Sequence, residues 1–159
     1  MRLHSKRKAS AIAQASNADM LSSVFSWFDR RREWGVIFIR LAFGFWLIYG
    51  TQDNVFSHER MVEFQQFMTR NGFPYAVPGS YVSAYAQFIC GFLYILGAAT
   101  RFAGAVMVIN FLFALGIAHR NTPLAADMPP LAMLAVALFL LFHGAGRFSV
   151  DEWVARRRK

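Results

Sequence analysis

The sequence predicts an all-α membrane protein: a four-transmembrane-helix bundle with an N-terminal amphipathic interfacial helix. Three observations point there. Of 159 residues, 56% are hydrophobic and 16% aromatic, with 17 phenylalanines, whereas soluble domains are about 45–50% apolar. The apolar residues gather into long runs, Trp34–Gln52, Tyr81–Thr100, Phe102–His119 and Leu131–Phe142, and a helical crossing takes roughly 20 residues. The net charge of +8 sits at the two chain ends and at turns between runs, as cytoplasmic flanks do and nucleic-acid-binding stripes do not.

The first segment, residues 1–15, opens with Arg2, Lys6, Arg7 and Lys8. Ala9–Ala15 is too small and polar for a signal-peptide core, so this is expected to be a disordered basic cytoplasmic tail; an acid-free, serine-containing start also fits a transit peptide. Residues 16–32 are expected to form the amphipathic juxtamembrane helix. Ser16-Asn17-Ala18-Asp19 caps it, Leu21, Val24, Phe25 and Phe28 form its apolar stripe, and Arg30–Arg32 face the headgroups.

Residues 33–153 are expected to hold the membrane domain. Trp34 and Tyr49 bracket the first run as interface aromatics. In the long connection from Asp53 to Gly79, Ser57 caps a short helix with Met61, Phe64, Phe67 and Met68 on one face, and Asn71-Gly72-Phe73-Pro74 stops it. This amphipathic segment is expected to lie against the outer face of the bundle. Only Thr100-Arg101 separates the second and third runs, which makes a tight hairpin. Pro129 and Pro130 suit the first turn of the fourth helix. After it, Gly144 and Gly146 release the helical backbone, Ser149 offers a local cap, and Trp153 suits an interface. Residues 154–159 are a basic C-terminal tail. Four crossings put both termini on one side, and the arginine bias makes that side cytoplasmic, with the inner membrane as the location.

Arg40 stands inside the first run, where a charge is costly and faces the bundle or snorkels. Ile37, Arg40, Gly44 and Ile48 share one helical face. Counted from the two basic flanks, Asn110 lies at about the depth of Arg40. On the second helix Ser83, Gln87 and Gly91 form a small, polar stripe that suits close packing or an interhelical hydrogen bond. Arg40, Gln87 and Asn110 are therefore the candidate ligand-binding residues, for an anionic or carbonyl-bearing ligand such as a quinone; a structural anchor, satisfied by Asn110 and by carbonyls or Asp151 at the helix ends, is the alternative for Arg40, and helix packing for Gln87. Cys90, the single cysteine, reads as a buried inert thiol. His58 and His119, with Asp53 or Asp127, are the one set that a metal could use, His143 is isolated at the other face, and no metal site is expected. Phosphate loops, dinucleotide fingerprints and Ser/His/Asp patterns are absent from the sequence.

Residues Arg40 to Asp151 resemble the DoxX family of small four-helix membrane proteins. Arg40-Leu41-Ala42-Phe43-Gly44 with Tyr49-Gly50 is similar to the family's Arg-Leu-x-x-Gly … His-Gly opening, with Tyr49 where a histidine is common. Gln87 to Arg101 follows the pattern Glu-x-x-x-Gly-x-x-x-x-x-Gly-x-x-Thr-Arg, with Gln87 replacing the usual acid. Gly144, Gly146, Arg147, Ser149 and Asp151 match the closing signature. The resemblance implies a four-helix inner-membrane protein, and the family's naming ties it to quinol oxidase and thiosulfate:quinone oxidoreductase systems. Three readings follow: an accessory subunit or small carrier in a quinone-associated redox complex, a quinone-binding oxidoreductase subunit, or a scaffold without catalysis. The partners expected are the lipid bilayer and membrane redox proteins, with no nucleic acid. The apolar runs hold no acid, so Asp151, after the glycine break, is the expected partner of Arg40.

Overall fold

The computed structural model describes residues 2–118 and 124–157, with side chains over 25–27, 30–116 and 128–157. Among these it is all-helical: α1 (Arg2–Phe56), α2 (His58–Arg70), α3 (Ala76–Leu96), α4 (Thr100–Ala118), α5 (Leu124–His143) and α6 (Val150–Arg157). Two helical stretches are long and apolar enough to cross a membrane, Arg30–Phe56 and Ala76–Leu96. Thr100–Gly116 and Met128–His143 are shorter apolar stretches.

The chain divides into two compact units, Met1–Gly35 and Val36–Lys159. In the first, the helix begins at Arg2, and the boundaries expected near residues 15 and 32 do not appear as breaks. No glycine or proline stands before Gly35, and Ala9–Ala15 is rich in the best helix former. Arg31 lies over the Trp27 ring at 3.9 Å, a cation–π contact. The side chains of Leu21, Val24 and Phe28 lie outside the described residues.

In the second unit, Val36, Arg40, Phe43 and Leu47 recur at helical spacing and are buried. They meet Cys90 and Tyr94 of α3, Ala103, Met107 and Phe111 of α4, and Leu134, Ala137 and Leu140 of α5 in one core. Its outward residues are apolar as well: Phe38, Phe45, Trp46, Phe102, Phe113 and Phe142 are exposed. Apolar surface on both sides of a helix is what lipid, not water, tolerates.

Glycines set the closest helix contacts. A Cβ on Gly44 would stand 2.6 Å from the Gly91 carbonyl oxygen, and one on Gly91 would stand 2.7 Å from Ile48 Cγ1. A Cβ on Gly104 would stand 2.9 Å from the Leu141 backbone. The expected Gly44–Ile48 face and the Gly91 stripe are thus packing surfaces. With Arg40 beside Tyr94 and Ile95, these pairings make α1 and α3 antiparallel, and α4 and α5 likewise.

The α1–α2 connection shrinks to Ser57, because nothing from Gln52 to Phe56 breaks the helix. Ser57 caps α2 as expected, accepting from the Arg60 N–H. Arg60 also pairs with Glu63 at 2.9 Å on the exposed face; that hydrogen bond, with the nearby carboxylate charge, raises its pKa, but an exposed pair adds little stability. Met61 and Met68 are buried. At the end of α2, Gly72 (φ 79°) donates to the Thr69 carbonyl and Phe73 to that of Met68, a Schellman closure. Pro129 and Pro130 lie inside α5, which starts at Leu124, and not in its first turn.

Candidate functional site

One end of the bundle is built around Arg40. Its side chain is 3% exposed. Nε donates to the Tyr94 carbonyl at 3.0 Å, Nη2 to that of Ile95 at 3.2 Å, and Nη1 to those of Ala145 at 2.6 Å and Phe148 at 3.1 Å. These acceptors exist because two helices end here. Gly97 (φ 66°) closes α3, with Gly97 N–H donating to Tyr94 and Ala98 N–H to Leu93. Past α5, Gly144 (φ 83°) and Gly146 (φ 75°) turn the chain back. The Ile95 carbonyl at the end of α3, the Tyr94 carbonyl that also accepts from Gly97, and the Ala145 and Phe148 carbonyls of the glycine turn converge on one planar donor group.

The expected Arg40–Asp151 ion pair is replaced by an indirect arrangement. The Asp151 carboxylate accepts from the Ala99 N–H at 2.6 Å and the Thr100 N–H at 2.9 Å, where it caps the positive end of α4. Its own N–H donates to the Gly97 carbonyl at 3.0 Å. Ser149 caps α6, as the sequence suggests: its Oγ accepts from the Glu152 N–H at 3.2 Å and donates to the Gly146 carbonyl at 2.7 Å. The closing motif therefore fastens α1, α3 and α4 together, mostly through backbone atoms. On the exposed side of α6, Arg157 lies over Trp153 at 3.7 Å.

Asn110 is elsewhere. Thr100 opens α4 beside the Arg40 acceptors, and Asn110 lies ten residues further along, about 15 Å by helical rise. It lines a cavity of about 570 Å³ between α2, α3 and α4, with Pro130 of α5 at its edge. Phe64, Phe67 and Met68 come from α2, Phe73 and Tyr75 from the turn, Val82, Ser83 and Ala86 from α3, and Ile109, Asn110 and Phe113 from α4. Gly79 makes room for the Phe73 ring, which a Cβ there would strike. The methionine and phenylalanine stripe on α2, expected to lie flat against the bundle, forms one wall. Among the described residues, Asn71, Tyr75, Ser83 and Asn110 bring polar groups to walls that otherwise match the apolar, concave character of ligand sites.

Gln87 stands one turn beyond Ser83 and donates from Nε2 to Ser83 Oγ at 3.1 Å. It reaches the cavity through Ser83 and does not line it. The three candidate ligand residues thus fall at two places: Arg40 where α3 ends and α4 begins, Asn110 and the Gln87–Ser83 pair at the cavity. Sequence reasoning placed Ser83 on a packing stripe and not at a cavity, and it offered helix-end carbonyls as partners of Arg40 without fixing which ones. Cys90 is buried and free. Among the described residues, no group of three His, Cys, Asp or Glu side chains is placed to hold a metal. His119 and the side chain of Asp127, members of the considered set, lie outside them.

The family model for DoxX matches residues 35–120. No curated protein and no solved structure matches the chain.

Proposed function

This chain belongs to the DoxX family, a family of membrane proteins, and from that premise we propose that it crosses the inner membrane four times and serves as an accessory subunit or small carrier in a quinone-associated redox complex. The cavity between α2, α3 and α4 is the observation that carries this reading. At about 570 Å³ it has the size of a small-molecule site. Its aromatic walls suit a flat apolar ring, and its carboxamides and hydroxyl suit ring oxygens. Among the described residues, carboxylate, imidazole and thiol groups are absent from its lining, and the groups present are suited to holding a ligand more than to moving protons. Arg40 favours a structural role, since four carbonyls occupy its donors.

The test is purification in mild detergent followed by quinone extraction. Quinone should co-purify with the wild-type chain and fall by about tenfold, worth about 1.4 kcal/mol, in Ala114→Phe, which fills the cavity. A lipid-only wild-type sample would remove the carrier reading and leave the scaffold.

The crossing number rests on the antiparallel helix pairs and on charge. Arg101, Arg147, Arg156 and Arg157 follow helices that end or begin beside Arg40, which makes that side cytoplasmic under the positive-inside rule. Reporter fusions at the C-terminus should read cytoplasmic, and fusions near Asn71 or Asn121 external. An external C-terminus would overturn the count of four.

A further inference from the structure

We propose that the closing turn and α6 form a docking surface for an anionic phospholipid, and that the bound lipid holds this turn over Arg40. The inference requires only a bilayer surface at this end of the bundle and is independent of the quinone reading.

α6 carries an apolar stripe that does not face the bundle. Val150, Trp153 and Arg157 recur at helical spacing and are exposed, while Asp151 and Val154 are half-buried. Phe148, just before α6, and Phe102, at the start of α4, are exposed as well. A short helix with an aromatic and aliphatic stripe beside cations suits the interfacial plane, with its apolar side at the acyl boundary.

The charge at the same place is unbalanced. Arg101, Arg147, Arg156 and Arg157 are exposed, and the acids beside them, Asp151 and Glu152, are engaged. Asp151 accepts from the Ala99 and Thr100 N–H groups, and Glu152 pairs with Arg156 at 2.9 Å. A Cβ on Gly144 would stand 3.3 Å from Arg101 Nε, so the Arg101 side chain reaches over the closing turn. Arg157 lies on the Trp153 ring at 3.7 Å, which holds its guanidinium beside an indole suited to the headgroup level. Guanidinium and phosphate match in charge and in bidentate geometry. The adjoining apolar stripe favours a phosphate that carries acyl chains over a free one.

This surface is joined to Arg40. The Phe148 carbonyl accepts from its Nη1. Ser149 caps α6 and holds the Gly146 carbonyl, and the Asp151 N–H donates to Gly97. A lipid that binds α6 in this position therefore stabilises the Arg40 turn by linkage.

The experiment uses the full-length chain, delipidated in mild detergent and titrated with phosphatidylglycerol or with phosphatidylcholine of the same acyl chains. Native mass spectrometry counts the bound lipid. The wild type should bind phosphatidylglycerol about fivefold more tightly, the advantage of one arginine near an anionic surface. Phosphatidylglycerol should also raise its thermal unfolding midpoint more than phosphatidylcholine does. Arg157→Gln should bring the affinity ratio toward one. Glu152→Gln, which releases Arg156, should raise the ratio, a gain that a misfolded variant would not imitate. Equal wild-type affinities, or a ratio unchanged in both variants, would overturn the proposal. Displacement of the lipid by millimolar inorganic phosphate would do the same, by marking a site for free phosphate. A midpoint indifferent to phosphatidylglycerol would overturn the link to Arg40.

Discussion

Replacing Arg40 with leucine is expected to destabilise the protein by about 3–5 kcal/mol, with four carbonyl contacts each worth roughly 1 kcal/mol. A buried charge can often be exchanged for an apolar side chain at little net loss, because the desolvation penalty disappears with it. That compensation is weak here, since the partners are backbone carbonyls of Tyr94, Ile95, Ala145 and Phe148 that the substitution leaves in place. The Tyr94 carbonyl would keep the Gly97 N–H, but the buried Ala145 carbonyl and the part-buried Ile95 and Phe148 carbonyls would lose the guanidinium to a leucine that donates nothing. Arg40→Lys keeps the charge but replaces a planar fork with a point donor. One ammonium has three hydrogens for four acceptors from two chain segments, so about half the loss should persist. Unfolding midpoints in a denaturing-detergent titration measure both. A midpoint unchanged in Arg40→Leu would show that the guanidinium does not hold these segments together.

The second large effect is expected at Gly97. Gly97→Ala should lower stability by about 2–4 kcal/mol. The backbone is left-handed there, at φ 66°, which adds roughly 1–2 kcal/mol for an L side chain. Its Cβ would also stand 2.5 Å from Arg40 Cζ and 2.7 Å from Ser149 Cβ, and forcing such contacts apart adds about 1–3 kcal/mol. Gly72→Ala separates the two contributions. It shares the left-handed geometry, at φ 79°, but a Cβ there meets nothing within 4 Å. It should show the backbone effect alone, and similar losses at the two positions would mean that crowding against Arg40 contributes nothing.

Much of the architecture was legible because membrane helices write long apolar runs, and because Ser57, Gly72 and the Gly144–Ser149 turn are local signals with local outcomes. The role of Arg40 was half legible. Its inward position followed from the cost of a charge in hydrocarbon, and Asp151 does come to the same end of the bundle. The direct ion pair did not form, because Asp151 has two N–H groups of its own to satisfy at Ala99 and Thr100. Helix-end carbonyls were legible as an alternative set of partners for Arg40, but sequence carries no mark for a particular carbonyl, so which four accept was not; the nearest signal was Gly97, which closes α3 beside Arg40. Asn110 was misplaced because its depth and that of Arg40 were counted from separate basic flanks, and only the Tyr94 and Ile95 contacts fix their common level. The cavity was illegible for a different reason. Its walls come from α2, α3, α4 and a turn, and a stripe at helical spacing reads the same whether it packs flat or faces a void.

The wiring of Arg40 also gives the chain an order of assembly. Arg40 is synthesised early, but its Tyr94 acceptor lies 54 positions later and its Phe148 acceptor 108 positions later. At a ribosomal rate of about 5–20 residues per second, the guanidinium waits roughly 5–20 s for its last partner. During that interval the first helix carries an unsatisfied cation, a state that favours the membrane's watery edge over its centre. Seating of that helix is thus tied to arrival of the final turn, and chains interrupted before Ala145 would present to membrane proteases a mark that finished chains conceal.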